Sequence, residues 1–324
     1  MSFRHSLIAL ALASALLAGC DKKEEAPVAG EAAKVAAVVP MNAGAAEAVQ
    51  AQAQAFAKND FKTLLIAALP PKEIERMRSE WDEQRKEPVS EEQRKEFAES
   101  WGKITAPGGV DTIMAELEPQ MVQLKPQLPG MIAMVQGMGT MSIQQSTELT
   151  PEQKTQATQF LNGLGGWLGK TDFADPKLMR TALDALAEGL LATGITSLDE
   201  INALSFDQVL EKAGPAFQGM KNALAAYGFS LDAIAQSVKT EVISETGDTA
   251  KIKVTYSLFD SPQTMESELK KIDGRWYGKD MLEQIDKAAA DNLAADAAEA
   301  QEPVMDAEGE SEAADADAES ESSN

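Results

Sequence analysis

The 324-residue chain carries 52 acidic against 29 basic side chains, a formal net charge of −23. That balance excludes nucleic acid, whose phosphates need clustered Lys and Arg, and argues against lying flat on anionic lipid. The single histidine and single cysteine, His5 and Cys20, both fall in the first 20 residues. Beyond them no Ser-His-Asp or Cys-His catalysis and no His- or Cys-based zinc site is open, which leaves carboxylate, Ser-Lys or Tyr chemistry and oxygen-ligated metals.

Arg4 and His5 precede an apolar run from Leu7 to Leu17 that ends in Leu17-Ala18-Gly19-Cys20. The run suits the core of an export signal and is too short to cross a bilayer as a helix. Small residues at 18 and 19 fit a protease cleft, and Cys20 offers a thiol. The four residues resemble the lipobox of bacterial lipoproteins. The resemblance implies that 1–19 is a signal peptide, cut between Gly19 and Cys20, and that Cys20 carries the lipid. It places the protein on the cell envelope, facing the periplasm, with Asp21 resembling an inner-membrane retention signal. Residues 20–45, rich in Ala and Val and broken by Pro27, Gly30 and Pro40, read as a flexible tether.

From 46 to 236 the apolar spacing is helical. Ala48, Val49, Ala53, Phe56, Ala57, Phe61, Leu64 and Leu65 recur three and four residues apart until Pro70-Pro71. Capping boxes are expected at Ser90–Gln93, Thr150–Gln153, Ser197–Glu200 and Ser205–Gln208, and Asp175-Pro176 marks another start. Apolar stripes follow at Ala157, Phe160, Leu161, Leu164, Trp167 and Leu168, then at Ala182, Leu186, Leu190 and Leu191. The four tryptophans, Trp81, Trp101, Trp167 and Trp276, read as core anchors. These features predict a bundle of short helices.

The period changes near Val238. Ile252, Val254 and Tyr256 alternate with Lys251, Lys253 and Thr255, while Gly247-Asp248, Ser261-Pro262 and Asp273-Gly274 supply breaks. Residues 237–287 therefore predict an antiparallel meander of three or four strands with a closing helix. The stretch 247–278, ending in Lys271-Ile272-Asp273-Gly274-Arg275-Trp276, resembles the last strands of NTF2-like lipoprotein domains. The expected fold is α+β, a mostly helical body followed by this meander. Residues 288–324 hold 12 acidic and no Lys or Arg side chains, a composition that predicts a disordered acidic tail.

Few motifs carry chemistry. Gly163 to Thr171 lacks the glycine spacing of a phosphate loop and follows no strand, so no nucleotide is expected. Ser100-x-x-Lys103 and Ser267-x-x-Lys270 lack the companion motifs of penicillin-recognising enzymes. Neighbouring carboxylates such as Glu73/Glu75, Asp82/Glu83 and Glu116/Glu118 point apart on a helix. Met131, Met134, Met138 and Met141 share one helical face, with Met114 and Met121 upstream. Core packing is the leading reading of that stripe, ahead of an adaptable groove for a partner or apolar ligand, and of a soft site for Cu(I). The sequence thus points to a membrane-anchored, non-enzymatic binding protein without cofactor or metal, reaching the membrane through its N-terminal lipid. An envelope protein or hydrophobic ligand is its expected partner. A carboxylate-based cell-wall glycan hydrolase and a structural spacer are the alternatives.

Overall fold

The computed structural model describes residues 43–147 and 149–287. The expected signal peptide, the expected lipid site at Cys20 with Asp21, most of the expected tether and the acidic tail lie outside the described residues. Helices α1 (Ala45–Ala57), α2 (Phe61–Ala68), α3 (Pro71–Gln84), α4 (Glu91–Thr105), α5 (Gly109–Leu124) and α6 (Leu128–Gln145) come first. They are followed by α7 (Pro151–Lys170), α8 (Pro176–Ala192), α9 (Leu198–Ala203), α10 (Phe206–Ala226) and α11 (Leu231–Gln236). Strands β1 (Lys239–Thr246), β2 (Thr249–Leu258), β3 (Ser261–Ile272) and β4 (Arg275–Gly278) then form one antiparallel sheet in sequence order. A last helix, α12, occupies 279–287. The fold is mostly helical with a small C-terminal antiparallel sheet.

Local chemistry explains the helix starts. Ser90, Thr150 and Ser205 each accept a hydrogen bond from the amide three residues on, and Gln93, Gln153 and Gln208 reach back to the cap amide. At α9 the box is displaced. Ser197 caps the Glu200 amide at 3.2 Å, but the Glu200 carboxylate accepts from the Thr196 amide at 2.7 Å and its hydroxyl at 3.0 Å. Asp175 caps α8 ahead of Pro176.

The helices pack around α8 and α10, which cross closely. A Cβ on Gly219 would lie 2.7 Å from the Ala185 carbonyl oxygen and 2.8 Å from Gly189 Cα, so only glycine permits this spacing. Helices α4 and α5 cover α8, and α2 and α3 pack on α10. Leu65, Leu69, Phe206 and Leu210 form one buried cluster, joined by Trp81 from α3 and by Met281 and Ile285 from α12. Leu191, expected in the α8 stripe, is exposed instead. Lys221 of α10 is buried. Its ammonium donates to the Phe56 carbonyl at 2.6 Å, the Ala57 carbonyl at 3.3 Å and Asp232 at 2.5 Å. It thereby ties the C-terminal end of α1 to α10 and α11.

The sheet has a separate core. Ala250, Ile252, Val254, Leu269 and Trp276 pack beneath Ala45 and Ala48 of α1, so the first helix covers strands some 200 residues later. Asp273 and Gly274 both take positive φ, 50° and 80°, and turn β3 into β4 as an Asp-Gly sequence should. The β2–β3 turn falls at Phe259-Asp260, just ahead of the expected Ser261-Pro262, which instead begin β3. Positive φ is costly for a bulky side chain. The Phe259 ring is held by Phe229 at 5.5 Å, Phe160 at 6.1 Å and Trp167 at 6.3 Å, and this cluster joins α7 to the sheet. Of the four tryptophans only Trp276 is fully buried. Trp101 is half-buried and stacks on Phe97 at 5.2 Å.

Candidate functional site

Helix α6 has a sequence that would not hold a helix alone. Leu128–Gln145 contains no charged residue and three glycines, each costing about 1 kcal/mol relative to alanine. Its support comes from α7, through notches cut in both helices. A Cβ on Gly139 would sit 2.9 Å from Leu161 Cδ2, and one on Gly165 would collide with the Gln136 amide. Glycines thus leave room for Leu161 against α6 and Gln136 against α7, so the Gln136 and Gly139 side of α6 is turned to α7. Gly163 receives the Phe259 ring, so Gly163 and Gly165 serve close approach from within α7. Gly163–Lys170 is therefore helix, not a phosphate loop.

That rotation decides where the methionines lie. Leu128, Ile132 and Ile143 turn partly inward. Met131 (47% exposed), Met134 (59%), Val135 (53%), Met138 (60%) and Met141 (54%) turn to solvent. The expectation of core packing for the methionine stripe is overturned. At 100° per residue the five side chains cover an arc of roughly 120°, centred about 100° round the helix from Gly139. Gly130 and Gly137 flank them with open space above. Of the two upstream methionines, Met114 is buried and Met121 half-buried.

From Pro119 to Thr147 the chain holds no acidic residue, its longest such interval, and only one basic residue, Lys125. Lys125 is bound to Asp172 at 2.6 Å. That hydrogen bond, outweighing the cost of desolvation, holds the Asp172 carboxyl below its ordinary range. Helix α6 thus contributes no charge of its own to the methionine face, and Lys154 of α7 meets the helix at the Gln144 carbonyl, 3.0 Å away.

The other sequence candidates are dispersed. A shallow cleft of about 590 Å³ lies along α3. Its carboxylates are each tied to a cation one turn on: Glu75 to Arg78 at 2.6 Å, Asp82 to Arg85 at 2.8 Å and Glu83 to Lys86 at 2.7 Å. Glu73 likewise meets Arg76 at 2.7 Å, and Glu116 meets Lys103 at 2.7 Å. Lys103 is therefore engaged rather than poised beside Ser100. Ser267 and Lys270, three apart in β3, project to opposite faces of the sheet. Among the described residues no group of three or more His, Cys, Asp or Glu side chains could hold a metal ion, and no helix is long and apolar enough to cross a membrane.

Comparisons of the chain with protein families, with characterised proteins and with solved structures find no match. The geometry of α6 therefore carries the functional argument. Sequence periodicity found the methionine face, but not its direction. The signal that could have set the direction is the pairing of Gly139 and Gly165 with large side chains of the facing helix, which no single-helix pattern contains.

Proposed function

We propose that this chain is a cell-envelope lipoprotein, anchored through Cys20 and facing the periplasm, that works by non-enzymatic binding at the outer face of α6. The anchor reading rests on the Leu17–Cys20 lipobox, and Asp21 favours the inner membrane. The binding reading rests on one observation: five apolar side chains lie exposed on an uncharged helix. At the stated exposures they present roughly 500 Å² of apolar surface, near the upper end of what a monomer ordinarily shows. Thioether side chains are unbranched and polarizable, so such a surface adapts to an apolar helix or loop of an envelope partner without a preformed pocket.

Two measurements test this. Cys20→Ser should stop labelled palmitate incorporation and either release the protein from membranes or leave the longer precursor. Palmitate labelling that persists in this variant would refute the anchor. For binding, a photo-crosslinking amino acid at Val135 in intact cells should give a discrete adduct that the same probe at exposed Glu99 does not. Met134→Asp with Met138→Asp should abolish the adduct while leaving helical circular dichroism unchanged. An adduct indifferent to two buried carboxylates would refute docking at this face.

A further inference from the structure

We infer that the outer face of α6 also binds a soft monovalent metal ion, Cu(I) or Ag(I), between adjacent pairs of the methionines Met131, Met134, Met138 and Met141. The inference uses the same face as the docking reading but a different chemistry, and stands whether or not a protein partner binds there. The four methionines fall at spacings of three, four and three residues. On a helix such neighbours have Cβ atoms about 5–6 Å apart, so each adjacent pair is within reach of one shared ion for side chains with three rotatable bonds, whereas Met131 and Met141, about 15 Å apart along the axis, serve separate pairs. Open space above Gly130 and Gly137 leaves the thioethers free to swing together.

Segregation within the helix gathers its sulfur on one face. The branched aliphatics Leu128, Ile132 and Ile143 are turned towards the protein, while four of the five exposed large apolar residues are methionine. Methionine also suits an adaptable apolar surface, but only its sulfur gives that surface a ligand for a soft metal. The surroundings select the ion. Thioethers are soft ligands that suit Cu(I), whereas Zn²⁺, Ca²⁺ and Mg²⁺ call for imidazole, thiolate or oxygen donors. No acidic residue lies between Pro119 and Thr147, and the lone cation there, Lys125, is occupied by Asp172. A soft cation would thus meet no carboxylate from α6 itself, and the Lys154 ammonium from α7 is engaged at the Gln144 carbonyl, 3.0 Å away. Thioethers carry no proton, so binding releases none and affinity should be flat with pH, unlike that of a Cys or His site.

The test uses the full chain with Cys20→Ser, which removes the only thiol. Anaerobic titration against the Cu(I) chelator bicinchoninate should show the protein withdrawing one or two Cu(I) per chain, with the same affinity at pH 5.5 and pH 8. Replacing the four methionines by Leu should weaken that affinity at least tenfold. The Leu variant keeps the apolar surface, so the Val135 adduct should survive and separates the two readings. In the unmutated stripe, Ag(I) should shift the methyl resonances of these four methionines and leave buried Met114 in place. Failure to compete with bicinchoninate, retention of Cu(I) by the Leu variant, or Ag(I) shifts spread over all methionines would each overturn the metal site and leave docking standing.

Discussion

Lys221→Met isolates the contact that fastens α1 to the rest of the fold. Methionine keeps the length and packing of the side chain between the Phe56 and Phe217 rings, which the ammonium approaches at 4.8 and 5.1 Å, but donates nothing. The Phe56 carbonyl retains the Asn59 amide at 3.2 Å, so only part of its bonding is lost. The Ala57 carbonyl loses the bond from Lys221. Asp232 loses its cation but is 30% exposed and can be rehydrated, whereas the lysine side chain is 1% exposed. Removing one partner of a buried pair ordinarily costs 3–5 kcal/mol, and the rehydration of Asp232 puts this case at about 3 kcal/mol. For a body of this size that is a fall in Tm of roughly 6–12 °C. Asp232→Ala should cost at least as much, because it strands the ammonium where water cannot reach. The double variant should cost less than the sum by ~1 kcal/mol or more. Urea unfolding of the four proteins measures this cycle. A Lys221→Met loss below ~1 kcal/mol, or strict additivity, would refute a clamp at this position.

Gly219→Ala should destabilise by about 1–3 kcal/mol in thermal unfolding despite alanine's better helix propensity, because its Cβ meets backbone of α8 rather than a movable side chain; a stabilised variant would mean that the crossing is looser. Acid should weaken surface ties that depend on ionised carboxylates. Asp199 is held low by the hydrogen bond from Arg94, Glu200 by the Thr196 amide and Glu268 by Lys279. Their stabilisation is present above about pH 4 and is lost as pH falls through their depressed folded values; NMR titration should find all three below the ordinary range, and normal values would break the argument. With no thiol beyond Cys20, the melting temperature of the Cys20→Ser chain should not move with reductant, and a reproducible shift would contradict the cysteine count.

What the sequence determined by itself is local. Hydroxyl caps at Ser90, Thr150 and Ser205, the Asp175-Pro176 start and the Asp273-Gly274 turn were all legible, because each depends on partners within about four residues. The change of period near Val238 likewise announced the sheet, since alternation is a property of one strand. The tertiary structure decided everything that depends on which distant neighbour arrives. Periodicity put Met131, Met134, Met138 and Met141 on one face, but Leu161 in the Gly139 notch and Gln136 in the Gly165 notch turned that face to water. Nothing around Lys221 marks it as buried, because its partners lie on α1 and α11. The sheet's core needs Ala45 and Ala48, separated from Ala250 by most of the chain. Burial is a relation between surfaces, and one strand or helix specifies only its own half.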